Sequence, residues 1–292
     1  MLFISQLING LQLGSIYALV ALGYSMVYGI IMLLNFAHGD IIMVGGYIAM
    51  LIITAGINPA VAVIASIVGC AVLAMIIEKI AYKPLRSAPR ISLLITAIGV
   101  SMLLQNLAQL IFSANAKSFP SSSIMAVQNI SLGGAQISVT ALITIIVSII
   151  SMIALTILVQ KTRMGKAMRA VSEDMGAAQL MGINVNRTVS FTFAVGSALA
   201  GIGSILYCCR YPVLTPTMGS MLGLKAFVAA VLGGIGSIPG AMIGGFAIGL
   251  AEVLVTSLGL SEWADGIVFA ILIVVLLFRP TGFMGKSMSE KV

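Results

Sequence analysis

The sequence consists mostly of long apolar runs separated by short polar loops, and this pattern restricts the fold more than any other feature. The runs lie at about residues 5–33, 40–56, 59–78, 91–113, 137–160, 188–209, 219–232, 240–258 and 264–279. A helix of about 20 predominantly apolar residues crosses the hydrocarbon core of a bilayer. The sequence therefore predicts an all-α fold, a polytopic transmembrane helical bundle. Some runs are short or interrupted by glycine, so eight to nine spans or partial spans are expected.

The composition excludes a water-soluble domain. Hydrophobic residues make up 60% of the chain and charged residues 8%, whereas a soluble domain carries about 25% charged residues. A single transmembrane domain over residues 1–292 is expected. The net charge of +7 does not indicate a nucleic-acid-binding protein, because the lysines and arginines cluster between the apolar runs, where they set the orientation of a membrane protein.

Three basic regions predict that orientation. They contain Lys79, Lys83, Arg86 and Arg90 in the first, Lys161, Arg163, Lys166, Arg169 and Arg187 in the second, and Arg279, Lys286 and Lys291 in the third. Loops rich in lysine and arginine stay on the cytoplasmic side of the membrane, so these regions are predicted to be cytoplasmic. The side of the N-terminus depends on whether the number of spans is even or odd, which the sequence leaves open.

Glycines at four-residue spacing recur in several of the runs. The spacing joins Gly10 to Gly14, Gly219 to Gly223, Gly236 to Gly240 and Gly244, and Gly245 to Gly249. Small residues at this spacing let helix backbones approach closely in a membrane. Tight bundle packing is the first interpretation, and a sliding interface or a substrate pathway is the alternative.

Charged residues inside the apolar runs are potential functional residues, because an ionisable group in a membrane needs a partner or a wet cavity. His38 and Asp40 follow the first run, and the favoured interpretation is that Asp40 caps the next helix by accepting bonds from its first N–H groups. Lys225 and Glu252 each interrupt a run. A structural ion pair between them is expected, with the lining of a polar pathway as the alternative.

Two near-motifs do not form nucleotide sites. Gly285-Lys286-Ser287 resembles the end of a phosphate-binding loop, but Pro280 occupies the position of its first glycine, and Pro239 occupies the third glycine position after Gly234-Ile235-Gly236. With one histidine and three cysteines, the sequence provides no zinc motif. The chain is expected to be no enzyme and to need no cofactor or metal.

The segment from about 161 to 187 is the longest polar passage. Its apolar residues recur at three- and four-residue steps from Met164 to Met181, which is the spacing of one helical face. Ser172 is predicted to be the N-cap of a short helix that ends before Gly182. A basic amphipathic helix of this kind either rests on the inner leaflet or binds another protein.

The same segment carries a resemblance to the permease subunits of ABC importers. Gly176-Ala177-Ala178 followed by Gly182 resembles their cytoplasmic "EAA…G" loop, although Gly176 replaces the expected glutamate. Three long stretches, "NGLQLGSIYALVALGYSMVYGIIMLLNFAHGD", "GKAMRAVSEDMGAAQLMGINV" and "LKAFVAAVLGGIGSIPGAMIGG", resemble the branched-chain amino-acid permeases of the LivH type. Together they extend the resemblance over nearly the whole chain.

The resemblance implies a permease with ABC importer architecture in a bacterial cytoplasmic membrane. Its implied partners are a second homologous permease subunit, two ATP-binding cassette ATPase subunits and an extracytoplasmic amino-acid-binding protein, and its substrates are branched-chain amino acids. The alternatives are a related urea or amide permease and an autonomous ion-coupled transporter. The expected ATPase-docking residues are Arg169, Ser172, Glu173, Asp174, Gly176, Ala177, Ala178 and Gly182.

The residues that line the pathway are less clearly marked. A small amphipathic substrate requires an apolar path with a few polar groups. Polar side chains within the runs are therefore candidates for the lining. They are Ser15, Tyr17, Asn35, Ser101, Gln105 and Asn106.

Overall fold

The computed structural model describes residues 2–32, 34–86, 88–125, 129–132 and 135–285, so the basic residues Lys286 and Lys291 lie outside the described residues. Eleven α-helices are described: α1 Leu2–Ile31, α2 His38–Thr54, α3 Pro59–Ile77, α4 Arg90–Phe112, α5 Val139–Lys161, α6 Arg163–Glu173, α7 Met175–Leu180, α8 Val185–Arg210, α9 Met218–Gly233, α10 Ile238–Ser257 and α11 Ala264–Phe278. A π-helical turn, Glu78–Tyr82, and a short 3₁₀ turn, Lys83–Leu85, extend α3.

Four short strands lie in the loops: β1 Lys117–Ser118, β2 Asn129–Leu132, β3 Ala135–Ser138 and β4 Val213–Leu214. β1 pairs antiparallel with β4, and β2 with β3. They connect helices and form no layer of their own, so the predicted all-α bundle is confirmed.

The nine predicted apolar runs correspond to nine helices, namely α1 to α5 and α8 to α11. Within the described residues, seven helices are long and apolar enough to cross a membrane. The other two, α2 with 17 residues and α9 with 16, are shorter. Their length of about 25 Å is less than the hydrocarbon thickness of about 30 Å, which identifies α2 and α9 as the partial spans.

Several helices begin where the sequence supplies a capping residue. The side-chain oxygens of Asn58, Asn184 and Ser237 accept hydrogen bonds of 2.9, 3.0 and 3.2 Å from backbone N–H groups two or three residues later. These bonds satisfy N–H groups that have no partner within the helix, and each contributes about 1 kcal/mol. Proline at the first position of α3, Pro59, fits the same rule because its missing N–H needs no partner.

Helices α1 and α10 pack against each other through glycine. A β-carbon placed on Gly14 would lie 2.7 Å from the Cα of Phe246, and one on Gly10 would lie 3.1 Å from the Cα of Leu250. Increasing numbers in α1 meet decreasing numbers in α10, so the two helices are antiparallel. The predicted close packing at the Gly10–Gly14 pair is confirmed, and it brings the two backbones together without intervening side chains.

The short helices α2 and α9 both begin in the interior of the bundle. His38, the first residue of α2, lies against Gly23 of α1, and Gly23 in turn packs against Gly196 of α8. Both glycines are inner positions of long helices. Next to it, Gly39 packs against Gly219 in the first turn of α9. The N-termini of two helices therefore meet among the long spans.

From this meeting point the two short helices run in opposite directions. Gly46 of α2 packs against Leu214 in β4, whereas Gly233 at the end of α9 packs against Gly240 in α10. The order of a long helix, a short helix and two further spans occurs in α1–α4 and again, inverted, in α8–α11. Such inverted repeats with interrupted helices are common in transporters and place their sites near the bilayer midplane.

The first two basic regions lie at the same end of the bundle. Arg86 donates a hydrogen bond of 2.7 Å to Asn186, the neighbour of Arg187. At the other end of α8, Arg210 donates to Gln12 near the start of α1. The start of α1 therefore lies at the end of the bundle opposite these basic regions.

Candidate functional site

Asp40, in the first turn of α2, is the centre of a polar cluster inside the bundle. Ser101 Oγ donates a hydrogen bond of 2.5 Å to Asp40 Oδ2, and Gln105 Nε2 donates one of 3.1 Å to Oδ1. The same nitrogen donates to Ser220 Oγ at 2.9 Å. Gln105 on α4 thus connects the first turns of α2 and α9. Asp40, Ser101, Gln105 and Ser220 are referred to below as the Asp40 cluster.

The prediction that Asp40 caps α2 is wrong. Helix α2 begins at His38, and the residue at its N-cap position, Ala37, makes no side-chain capping bond. The Asp40 carboxylate turns instead to α4. The physical reason is that α2 starts among other helices, so its first turn has polar side chains within reach that a surface helix would not have.

A second polar cluster lies between α1, α9, α10 and α11. Lys225 Nζ is 2.8 Å from Glu252 Oε1 and 2.6 Å from Asp265 Oδ1. Tyr17 Oη donates a hydrogen bond of 2.8 Å to the other oxygen of Glu252. The predicted Lys225–Glu252 ion pair is confirmed, and Asp265 joins it. These four residues are referred to as the Lys225 cluster.

The other predicted lining residues lie apart from both clusters. Ser15 is buried and donates to Leu11 O in its own helix, and the amide oxygen of Asn35 accepts a bond of 2.7 Å from Tyr82 Oη. Asn106 is exposed and donates to a carbonyl of its own helix. The structure brings Ser101 and Gln105 together, and the role of all six residues in a pathway stays a prediction.

The amphipathic segment forms two helices, α6 and α7, and the N-cap predicted at Ser172 is wrong. Asp174 has extended backbone angles and separates α6 from α7, and its carboxylate accepts a hydrogen bond of 2.9 Å from Ala177 N. Asp174 is therefore the N-cap that was assigned to Ser172. Ser172 lies within α6 and donates to Arg169 O at 2.7 Å. The hydrogen bond from Ala177 N to the Asp174 carboxylate stabilises the start of a new helix here, although the apolar periodicity continues through this position.

Helix α7 ends where the sequence predicts it to end. Gly182 has a φ angle of +82° and follows the C-cap residue Met181. This left-handed conformation is favourable for glycine and ends a helix. The predicted helix stop at Gly182 is confirmed.

The residues expected to dock an ATPase differ in exposure. Ala178 is buried against the bundle, whereas Glu173, Asp174, Gly176, Ala177 and Gly182 are exposed. Arg169 donates bonds of 2.8 and 3.2 Å to the last carbonyls of α5, so it fastens α6 to the end of that span. Ala178 and Arg169 thus position the segment.

Leu180 and Met181 were not among the predicted docking residues. The side chains of Leu180 and Met181 are 90% and 83% exposed, although they lie in the most polar segment of the chain. A pair of exposed apolar side chains surrounded by polar residues is typical of an interaction site. Their positions at the end of the predicted helix were the signal that could have identified them.

The sequence analysis also missed a buried carboxylate at the basic end. Glu78, in the π-helical turn after α3, is fully buried and forms an ion pair with Arg86. Its second oxygen accepts a hydrogen bond of 2.6 Å from Ser190 of α8. An acidic residue directly before Lys79 at the end of an apolar run was the available signal. The network fastens the end of α3 to the start of α8.

The comparison with protein families decides the assignment. Residues 6–276 match the family described as "Branched-chain amino acid transport system / permease component". The chain belongs to this family. As a permease component it is a subunit of an ABC transport system and not an enzyme, as predicted. Its apolar helices agree with the predicted multi-pass membrane protein.

Curated relatives of this permease family match over nearly the whole chain. The high-affinity branched-chain amino acid transport system permease protein LivH of Escherichia coli (strain K12) is 44% identical, covering 99% of this chain and 98% of the relative. BraD of Pseudomonas aeruginosa, described in the same words, is 42% identical with the same coverage. A probable LivH of Methanocaldococcus jannaschii is 31% identical over 93% of this chain and 89% of its own length.

One solved structure is similar in outline. It is a chain of PsaBC from Streptococcus pneumoniae in complex with Fab, with a TM-score of 0.48 and 16% sequence identity. The match covers 96% of this permease chain and 91% of the solved chain.

Proposed function

We propose that this permease subunit translocates leucine, isoleucine and valine into the cytoplasm. The relatives that support this proposal are described as branched-chain amino acid permeases and match from end to end. The membrane interior has the corresponding chemistry, because largely apolar helices surround a few polar groups in the Asp40 cluster. A substrate with one apolar side chain and a charged backbone needs both kinds of surface.

The proposed complex contains a second permease, two ATPases and an extracytoplasmic binding protein. The exposed part of α6–α7, from Glu173 to Gly182, is the proposed ATPase-docking surface. The observation that carries this assignment is the exposure of the adjacent Leu180 and Met181, since neighbouring apolar side chains rimmed by polar residues mark interaction sites. Methionine suits a contact that has to repack as the partner moves.

A displacement of α7 would reach the membrane helices if Met175 moved into a small cavity between α7 and the end of α3. Met175, the first residue of α7, lines this cavity together with Glu78, Arg86, Tyr82 and Phe193. A shift of Met175 would therefore press on the Glu78 network. Because that network fastens the end of α3 to α8, its rearrangement would change how the spans are held at the basic end.

The test is a double variant, Leu180→Ser with Met181→Ser, in a complex reconstituted into liposomes. Both side chains are exposed, so we expect the permease to insert and keep its thermal stability. Loss of ATPase binding and of ATP-driven leucine uptake is expected. Leu258→Ser is the matched control, because Leu258 is 76% exposed and lies beyond α10.

Normal ATPase binding by the double variant would contradict the docking assignment. The substrate assignment is tested separately with the wild-type complex. Uptake of leucine, isoleucine and valine in preference to urea and acetamide is expected, and the reverse preference would overturn it.

A further inference from the structure

Among the residues that the structure describes, Asp40 differs from Glu78 and Glu252 because its carboxylate has no cationic partner. Glu78 pairs with Arg86 and Glu252 with Lys225. Asp40 is only 1% exposed, and in the part of the chain that the structure describes its carboxylate oxygens bond to Ser101 and Gln105, which are both neutral. A buried carboxylate without a counter-charge is costly, so it is neutralised either by a proton or by a cation that arrives from outside the chain.

Hydrogen-bond donors and helix N-termini partly offset the cost of burying a negative charge at Asp40. Asp40 lies in the first turn of α2, and its Cα is within 2.9 Å of the position of a β-carbon on Gly219, in the first turn of α9. Helix N-termini carry a partial positive charge. With the donors from Ser101 and Gln105 these two helix ends stabilise a carboxylate, yet they supply no full positive charge.

An apolar groove begins one helical turn beyond Asp40. Its volume is about 210 Å³, several times the roughly 30 Å³ that one water molecule occupies in the liquid. The lining residues come mainly from α2 and α4, the two helices that carry Asp40 and Gln105. They include Val44, Tyr47 and Ile48 on α2 and Leu104, Leu107 and Ala108 on α4.

The groove lies next to the Asp40 cluster along both helices, although none of the four cluster residues lines it. Val44 is one turn after Asp40 on α2, and Leu104 and Ala108 lie one position before and three positions after Gln105 on α4. Tyr47 is 2% exposed, and its hydroxyl has no hydrogen-bond partner within the described residues. The site thus combines an uncompensated carboxylate at one end, an apolar groove beside it and an additional buried polar group.

We infer that Asp40 binds the α-ammonium group of the transported amino acid and that the groove between α2 and α4 accepts its aliphatic side chain. This inference rests on the proposed function and names the substrate contacts that the function requires. Asp40 is closed off in this conformation, and the substrate reaches it when α4 moves away from α2. Helix α4 is the suitable moving part, because most of its surface lies outside the bundle.

The main test compares Asp40→Asn with the wild type in the complete complex with binding protein and ATPases. Asparagine has nearly the shape of aspartate and can still accept a hydrogen bond, but it lacks the charge. We expect leucine uptake to fall about 10- to 100-fold, the loss expected for one charge-assisted hydrogen bond. Complex assembly and ATP hydrolysis stimulated by the binding protein should stay close to wild type. Asp40→Glu, which keeps the charge, should retain measurable uptake.

Two residues of α4 provide a matched control. Gln105→Ala removes a residue that bonds to Asp40, whereas Leu110→Ala truncates a side chain of the same helix that is 82% exposed and does not line the groove. We expect a higher apparent KM for leucine with the first variant and no change with the second. Equal effects of the two substitutions would overturn the placement of the site.

The groove is tested by substrate size. Val44→Phe fills the part of the groove next to Asp40, so the ratio of leucine uptake to alanine uptake should fall. An unchanged ratio would contradict side-chain binding in the groove.

The outcomes separate this inference from the function on which it rests. A wild-type complex that transports no branched-chain amino acid overturns the proposed function. If Asp40→Asn transports leucine at the wild-type rate, the inference is overturned but the proposed function is not. Loss of assembly or of ATP hydrolysis in Asp40→Asn would also overturn it, because Asp40 would then be a structural residue.

Discussion

The two polar clusters inside the membrane differ in whether a cation compensates the charge of their carboxylates. In the Lys225 cluster, Glu252 accepts a bond from Tyr17 at 2.8 Å and pairs with Lys225 at 2.8 Å, and Asp265 adds a second carboxylate at 2.6 Å. In the Asp40 cluster, the donors to the carboxylate within the described part of the chain, Ser101 and Gln105, are neutral. Both clusters join a short helix to longer ones, α9 in the first case and α2 in the second.

This difference distinguishes charged groups that stabilise the packing of helices from a charged group that can bind a ligand. Ions buried in pairs hold helices in register, and removing one partner leaves the other charge uncompensated. An unpaired carboxylate adds little to stability and is expected near a site where a cation binds. We therefore expect substitutions in the Lys225 cluster to change the stability of the fold, and substitutions at Asp40 to change transport.

The largest effect on stability is expected for Lys225→Ala. This change leaves Glu252, whose side chain is 12% exposed, without its cation, and breaking such a largely buried pair costs about 3 kcal/mol. Asp265 is half exposed, so its loss of Lys225 adds little. Thermal unfolding of the purified permease, followed by fluorescence-detected size exclusion, should show a clear drop in Tm and in the yield of folded protein. An unchanged Tm would remove the distinction between the clusters.

A pair of isosteric substitutions compares the clusters directly. Glu252→Gln leaves Lys225 with Asp265 as its only anionic partner, and the loss of one charge-assisted bond costs about 2 kcal/mol. Asp40→Asn weakens the bonds from Ser101 and Gln105 but also removes an uncompensated buried charge, so a net change of less than about 1 kcal/mol is expected. The measurement is the Tm of both variants under the same detergent conditions. Equal losses would mean that Asp40 is as structural as Glu252.

The sequence was sufficient to locate the helices but insufficient to place their ends in the membrane. The runs at 40–56 and 219–232 were close to α2 at His38–Thr54 and α9 at Met218–Gly233. Hydrophobicity along the chain measures burial in lipid or protein, and it does not report the depth at which a helix begins. The meeting of α2 and α9 depends on the contact of Gly39 with Gly219, residues 180 positions apart in the chain.

The sequence also does not show which polar residues on different helices contact each other. Lys225 and Glu252 could be paired from sequence because each interrupts an apolar run and needs a partner. Ser101 and Gln105 could be named as polar residues of one span, but their common partner, Asp40, lies on another helix. The local signal at Asp40, an acidic residue at a helix start, predicted a cap, and a tertiary contact with α4 replaced it.

The docking segment shows a local error of a different kind. Apolar residues recur at helical steps from Met164 to Met181, and this periodicity continues through Asp174. One residue with extended backbone angles interrupts the helix there. Periodicity describes which residues face the bundle on both sides of the break, so it was correct for Met168 and Ala178, which are buried. It could not reveal that two helices share that face.

The smallest effect is expected for Tyr17→Phe, which tests one hydrogen bond within the Lys225 cluster. The substitution keeps the ring and removes the hydroxyl that donates to Glu252. Lys225 still compensates the charge of Glu252, so the cost should be about 1 kcal/mol, the usual size of a side-chain hydrogen bond in a membrane protein. Combined with Glu252→Gln, the Tyr17→Phe change should cost less than it does alone, because both remove parts of one interaction. Fully additive losses of stability would show that Tyr17 acts independently of the ion pair, and the Lys225 cluster would then have no coupling between α1 and α10.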